Sequence, residues 1–208
     1  MSTRNDENVE ATGLMWDRRY REHGWSSVPD ENLVELVSGL TPGRAIDLGC
    51  GTGRNALGLA RIGWEVTGVD ASSVGLAMAA ERAASEGVTL HIVQADLLDF
   101  EPETSGFDLV VIANIHLMPE QRDLFFDRAA AAVAIGGHLF IVGHHVDALG
   151  KTGPPVLERL FEESLFHDRF DGFTIERLER RDTRSDAGDI DDVSVLLWAE
   201  CNQSEVTL

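Results

Sequence analysis

Apolar residues in this chain fall either into short continuous runs or into stretches at helical spacing. The runs at residues 44–48, 64–69, 90–93, 107–112 and 138–142 predict strands. The run at 107–112 is apolar nearly throughout, as a strand covered on both faces should be. Between the runs lie predicted helices. One covers residues 55–62 and stops at Gly63, one runs from a Ser72 cap to Glu86 with Gly87 behind it, and one runs from Pro119 to Val133. Upstream, residues 16–23 predict a short helix stopped by Gly24. Asp30 caps another, with Leu33, Val34 and Val37 on one face and Gly39 at its end. Strands and helices alternating through short connections give an α/β fold: a Rossmann-like, mostly parallel sheet with helices on both faces. The tail departs from this pattern. Pro154-Pro155 open a predicted helix bearing Leu157, Leu160, Phe161 and Leu165, and two extended runs follow at 173–178 and 193–199. The link between those runs, 182–192, is too short for a helical crossover, so the last two strands should pair antiparallel at an edge.

Composition narrows the partners. The 208 residues, 43% of them hydrophobic, suffice for one domain with a substantial core. No repeat or linker divides them, and residues 1–13 read as a polar, disordered tail before a single domain at 14–208. The net charge of −19, from 17 basic and 36 acidic residues, repels phosphate backbones and anionic membranes. The charge reads first as a solubilising surface and, more sharply, as a preference for neutral or cationic small substrates; a small-molecule partner is expected, with no nucleic acid and no membrane. The longest apolar stretch, 129–143, is broken by Gly136-Gly137-His138, and the start of the chain lacks the order of a signal peptide. Two cysteines, Cys50 and Cys201, make no disulfide framework, so the cytoplasm is expected. A monomer and a homodimer both remain open.

The chemistry concentrates in Asp47-Leu48-Gly49-Cys50-Gly51-Thr52-Gly53, between a strand and a helix. A glycine turn there brings backbone N–H groups and a helix N-terminus to one concave place, as in nucleotide sites. The spacing selects among nucleotides. A dinucleotide fingerprint starting at Gly49 needs glycine at position 54, which is Arg54, and no Gly-Lys-Ser/Thr phosphate loop exists. Asp70 stands at the end of the second strand, 70 − 49 = 21 residues after Gly49, where a carboxylate accepts from ribose hydroxyls. Asp96, after the third strand, is placed to accept from an adenine amino group. Adenine and ribose are provided for, and a diphosphate is not.

With these motifs the chain resembles the class I S-adenosylmethionine-dependent methyltransferases over about residues 16–142. The run from Gly49 to Asn55 is most similar to the tellurite-resistance and thiopurine group, and Trp16-Asp17-Arg18-Arg19-Tyr20 resembles the Trp-Asp-x-x-Tyr element of small-molecule enzymes. The resemblance implies seven strands with an antiparallel last strand and S-adenosyl-L-methionine as cofactor. It also implies roles. Gly49 and Gly51 line the methionine portion, and Asp47 holds the turn. Asp70 binds ribose, with Ala71 against the adenine, while Asp96 and the Leu97 N–H read the adenine edge. Ala113 or Asn114 offers a carbonyl to the ammonium, and Tyr20 or Arg54 meets the carboxylate.

Methyl transfer to a small O, N or S nucleophile then needs chiefly in-line positioning. A base is needed only if the nucleophile carries a proton of high pKa. His116, His144 and His145 follow strands four and five. His116 and His144 are the base candidates, and all three are alternatively pocket lining. Trp16 and His145 are expected to meet the acceptor, under a helical cap at 14–40 and a cap helix at 147–170. The phenylalanines Phe161, Phe166 and Phe170 fit either an aromatic pocket or the core. No metal site is expected, because adjacent histidines in an extended segment diverge, and the acidic run 182–192 reads as a solvated turn. The segment Asn114-Ile115-His116-Leu117 lacks the Asn/Asp-Pro-Pro-aromatic signature of enzymes acting on flipped bases or glutamine amides. The competing readings are an NAD-dependent oxidoreductase and a cofactor-binding protein without turnover.

Overall fold

The computed structural model describes residues 3–184 and 190–202. The chain divides into two compact units, Met1–Pro102 and Glu103–Leu208. In the first, β1 (Arg44–Leu48), β2 (Glu65–Asp70) and β3 (His91–Gln94) pair in parallel, with Leu48 opposite Val69 and Asp70 opposite Gln94. The register brings the C-terminal ends of the three strands level, which is where open α/β sheets hold ligands. The strands are joined by α3 (Arg54–Arg61) and α4 (Ser73–Glu86). α4 begins and ends as its sequence predicts. The Ser72 hydroxyl accepts from the Gly75 N–H, and Gly87 closes the helix at φ 70°. α2 (Glu31–Val37) is capped by the Asp30 carboxylate, which accepts from the Asn32 and Leu33 N–H groups.

α1 (Thr3–Glu22) starts far before the expected residue 16 and replaces the irregular tail foreseen at 1–13; residues 1 and 2 lie outside the described residues. Polarity misled the reading. Residues 3–12 hold no proline, and a polar sequence without one keeps ordinary helix propensity.

In the second unit, β4 (Phe107–Ala113) and β5 (Val133–His144) are parallel, joined by α5 (Pro119–Ala131). β5 begins at Val133 rather than at 138 because Gly136, at φ 75°, and Gly137 carry the strand through an irregularity instead of ending it. A Cβ on Gly137 would lie 3.0 Å from the Asp108 carbonyl oxygen. β6 (Phe173–Arg184) and β7 (Ile190–Cys201) form the predicted antiparallel pair, and β7 also runs antiparallel to β5. The strand order is β3-β2-β1-β4-β5-β7-β6, a seven-stranded Rossmann-like sheet whose last strands are antiparallel.

The cap helix expected at 147–170 does not form. Its place is taken by three short 3-10 turns, Val146–Ala148, Leu157–Arg159 and Glu163–Leu165. Pro154 and Pro155 remove two donors, and the Phe161 backbone is used elsewhere: its N–H donates to the His144 carbonyl and its carbonyl accepts from Val146. Phe126, Phe161, Phe166 and Phe170 are buried together, Phe161 and Phe166 meeting edge-on at 5.5 Å. These phenylalanines are core, not pocket. No helix among the described residues is long and apolar enough to cross a membrane.

Candidate ligand site

The turn between β1 and α3 is shaped by three glycines in the left-handed region, Gly49 at φ 83°, Gly51 at 54° and Gly53 at 81°. Alternating positive φ is what only glycine supplies without strain. Four N–H groups of this turn are committed to protein acceptors. Gly49 and Cys50 donate to the Val69 carbonyl at 2.8 and 3.0 Å, and Gly53 donates to the Cys50 carbonyl at 2.8 Å. Gly51 donates to Asp70 Oδ2 at 2.9 Å, while Asp70 Oδ1 accepts from Ser72 N–H at 2.8 Å. Asp70 thus ties the glycine turn to the start of α4. Its carboxylate is nearly buried, and burial raises its pKa against the pull of the Ser72 and Gly51 donors. Asp47 is buried too, accepting from the Ala56 N–H at 3.1 Å. Burial pushes its pKa up to about 7, although Arg54 and the Ala56 N–H oppose the rise.

At the start of α4 is a cavity of about 580 Å³ lined by Gly13, Asp17, Ala71, Gln94, Asp96 and Phe100, together with Leu14, Ser73, Ala95, Asp99 and Glu101, and by no residue of the glycine turn. Carboxylates dominate its polar groups. Ala71 and Asp96 line it, whereas Leu97 does not. The segment after β3 folds into a tight turn, with Leu98 N–H on Asp96 Oδ1 at 2.9 Å and Phe100 N–H on the Asp96 carbonyl at 2.9 Å. That turn carries Asp99, Phe100 and Glu101 to the cavity and leaves Leu97 out of its lining.

α1 forms one wall. It crosses so closely that a Cβ on Gly13 would lie 2.6 Å from the Ala71 carbonyl oxygen. Asp17 anchors it across the N-terminus of α4, accepting from Ser72 Oγ at 2.6 Å, Val74 N–H at 3.0 Å and Ser73 Oγ at 3.1 Å. Burial works to raise the Asp17 pKa, but these donors prevail and hold it below the usual carboxylate value. Tyr20, one turn further on, lies against Gly51 and Gly75: a Cβ on Gly51 would collide with its hydroxyl, and one on Gly75 would lie 2.9 Å from its ring. Burial, with Asp70 close by, raises the phenol pKa and keeps it protonated. Trp16 and Trp25 complete an aromatic cluster, with Tyr20–Trp25 centroids 5.1 Å apart and the Arg19 guanidinium 4.9 Å from the Trp16 ring.

In the second unit, β4 ends at Ala113 and Asn114 turns out at φ 59°, its N–H donating to the Val142 carbonyl at 2.8 Å. The three histidines differ. His116 Nδ1 meets the Arg159 carbonyl at 2.9 Å and His116 Nε2 accepts from the His144 N–H at 3.3 Å, so both ring nitrogens are occupied. Burial lowers its pKa to about 4. This neutral, saturated ring has no site left for a substrate proton. His145 is similarly engaged, Nδ1 accepting from Asp147 N–H at 3.0 Å and Nε2 lying 3.3 Å from Glu163 Oε2, which makes it a cap for the following turn rather than an acceptor contact. His144 instead places Nδ1 3.1 Å from Asp192 Oδ1. Sequence reasoning gave no role to Asp17, Gly13 or Asp192. Asp17 stands inside the Trp-Asp-x-x-Tyr element, and Gly13 lies just before it. Asp192 was hidden in the acidic run read as solvated, of which residues 185–189 lie outside the described residues.

Comparison with known proteins fits this geometry. Residues 45–137 match a family model described as a methyltransferase domain. The chain is 33% identical over 151 residues to trans-aconitate 2-methyltransferase of Rhizobium meliloti, covering 72% of this chain and 56% of that one. TehB from Haemophilus influenzae superposes with a TM-score of 0.69 at 17% identity, over 92% of this chain and 67% of that chain. Magnesium protoporphyrin IX methyltransferase from Synechocystis PCC 6803, solved with bound SAH, gives 0.69 at 20% identity over 94% and 97%. These two structural likenesses are likenesses of fold. The chain spans about half or less of the length of the curated relatives it matches, 21%, 28% and 56% in three of them.

Proposed function

We propose that this chain, whose residues 45–137 match a methyltransferase domain, is a class I S-adenosylmethionine-dependent methyltransferase that transfers the methyl group of S-adenosyl-L-methionine to a small-molecule acceptor with an O, N or S nucleophile. The observation that carries the reading is the hydrogen-bond state of the glycine turn. Gly49, Cys50, Gly51 and Gly53 donate to protein acceptors, so these N–H groups do not cradle a pyrophosphate, and carboxylates crowd the cavity at the start of α4. A cationic ligand with an adenine amino group fits such surroundings, and a diphosphate is repelled. In this reading Ala71 packs on adenine and Asp96 accepts from its amino group. Asp70 keeps lone pairs for ribose. Gly49, Gly51 and Asp47 border the methionine portion, with Tyr20 or Arg54 toward its carboxylate and the Ala113 or Asn114 carbonyl toward its ammonium.

Bound S-adenosylmethionine supplies a methyl carbon made electrophilic by the sulfonium. The protein's part is to hold that carbon in line with the acceptor and keep water out, which is worth up to roughly 7–11 kcal/mol. The charge of −19 supports a small acceptor over nucleic acid, and two free, buried cysteines fit a reducing cytoplasm. Calorimetry with S-adenosylmethionine and NAD, followed by an acceptor screen for S-adenosylhomocysteine, tests the proposal. Capture of NAD with indifference to S-adenosylmethionine refutes it. Tight binding without turnover on any acceptor favours a binding protein.

A further inference from the structure

Arg169, Arg177 and Arg181, half-buried arginines of the second unit, each meet a carboxylate, at 2.8, 2.9 and 3.0 Å. Arg159 and Arg122 in the same unit do not. Arg159 is half-buried in the 3-10 turn Leu157–Arg159. Its Nε is shielded from solvent without a hydrogen-bond partner, and among the described residues its guanidinium meets no carboxylate. Arg122, on α5, has the same unmatched Nε. Its Nη1 donates to the Glu158 carbonyl at 3.2 Å, which sets it against the residue before Arg159. Burial pulls the Arg122 pKa down, with Asp123 opposing and Arg169 adding to the fall. The turn is tied to the C-terminal end of β4, where open α/β sheets hold ligands: the Arg159 carbonyl meets His116 Nδ1 at 2.9 Å, and the Arg159 charge helps keep that ring neutral.

A half-buried guanidinium without a counter-charge carries a desolvation cost that the fold does not return. This chain has 36 acidic residues against 17 basic ones, so counter-charges are plentiful, yet these two cations stand without one within ion-pair distance among the described residues. A ligand anion supplies what is missing. Its chemistry follows from the donors. Guanidinium N–H groups match the two coplanar oxygens of a carboxylate. A phosphate finds little more here, because α5 opens at Pro119, which has no N–H, and the Arg122 N–H already bonds the Met118 carbonyl. The net charge of −19 also repels a dianion more than a monoanion. We propose that the turn Leu157–Arg159, with Arg159 as its main cation and Arg122 as its second, binds the carboxylate of a small organic acid. The site lies wholly within the second unit and is independent of the methyl-transfer reading.

The full chain is titrated by calorimetry with benzoate and with succinate, and with inorganic phosphate as the tetrahedral comparison, at constant ionic strength. Saturable binding of at least one of the two acids, tighter than that of phosphate, is expected. Arg159→Met keeps an apolar stem and removes the charge, and it should weaken that binding about tenfold or more. Arg159→Lys should recover only part of the loss, because lysine has no planar fork. Arg122→Met should cost less than Arg159→Met. Arg61→Met removes a cation from α3, in the first unit, where it pairs with Glu86; it controls for net charge and should leave binding unchanged. Thermal melting gives a second readout. Without ligand, Arg159→Met should melt no lower than wild type, and the bound acid should raise the Tm of wild type but not of the variant. A lower Tm for ligand-free Arg159→Met overturns the proposal, because the cation then has a partner within the chain. Failure of both acids to bind overturns it as well, and so does equal weakening by Arg61→Met. Phosphate bound more tightly than either acid overturns the carboxylate assignment.

Discussion

Asp47 carries a measurable consequence of burial. Its carboxylate is enclosed beneath the glycine turn with one backbone donor, the Ala56 N–H at 3.1 Å. Its pKa is lifted from the ordinary 3.8 to about 7 by burial, with Arg54 and Ala56 pulling down and Asp70 pushing up. A carboxyl with a raised folded-state pKa binds more protons folded than unfolded across that interval. Stability is therefore highest below about pH 4 as far as this group is concerned, and it is lost as pH rises to about 7. At about 1.4 kcal/mol per pKa unit, the interval sets a ceiling of about 4 kcal/mol. Asp47→Asn keeps an oxygen for the Ala56 N–H and cannot ionise. Its amide leaves a buried N–H₂ without a partner, which costs about 1–3 kcal/mol at every pH. The pH dependence of the difference therefore isolates the charge. Urea unfolding of the two proteins should show the variant gaining several kcal/mol on wild type between pH 4 and pH 8, while its affinity for S-adenosylmethionine falls. A difference that stays constant over that range would refute the assignment of a strained, ionisable carboxyl here.

Three further outcomes are expected. Gly51→Ala should weaken cofactor binding at least tenfold, because its Cβ meets the Tyr20 hydroxyl at φ 54°; adding Tyr20→Phe should recover part of the loss in calorimetry, and no recovery would remove Tyr20 from contact with the turn. His116, whose folded-state pKa of about 4 lies below the usual 6.5, contributes stability that is present above pH 6.5 and fades toward pH 4. Its ceiling is about 3 kcal/mol, and His116→Gln should abolish that part of the acid transition in urea unfolding between pH 4 and pH 7; an unchanged transition would refute it. Arg54→Gly completes the G-x-G-x-x-G dinucleotide spacing that begins at Gly49, yet NAD should bind the variant no better than it binds wild type by fluorescence titration.

The order of strands and helices was legible because buried strands are apolar and the caps are local. Ser72, Asp30 and Gly87 act through the hydrogen bonds of their own neighbours. What failed was non-local. The stretch from Pro154 to Phe170 shows apolar residues at helical spacing, but Phe161 pairs its backbone with His144 and Val146, contacts that no window of sequence reveals. β6 runs on past its predicted end at 178 through Glu179 and Arg181, and Glu179 pairs with Arg177 and Arg181 at 2.9 and 3.0 Å. Polarity marked the end of burial there, not the end of the strand. The site divides the same way. Ala71 and Asp96 follow from position in a motif. The fates of the three histidines depend on Arg159, Glu163 and Asp192, partners distant in sequence, 43 positions away for His116 and 48 for His144.

The glycine turn gives the spacing a physical reason beyond a missing residue. Position 54 excluded a dinucleotide by pattern, but pattern does not bind anything. An anion seat needs backbone N–H groups that are free and convergent. In this turn Asp70 takes the Gly51 N–H and Ser72 N–H together, Val69 takes two more, and Cys50 accepts from Gly53. The Asp70 carboxylate takes an N–H that a phosphate would need. With the carboxylates of Asp47 and Asp17 in the same unit, that arrangement selects against an anion at the turn. The burial that raises the Asp70 pKa is what makes that selection strong, because the same desolvation that weakens the carboxylate's hold on its charge sharpens its response to a cation.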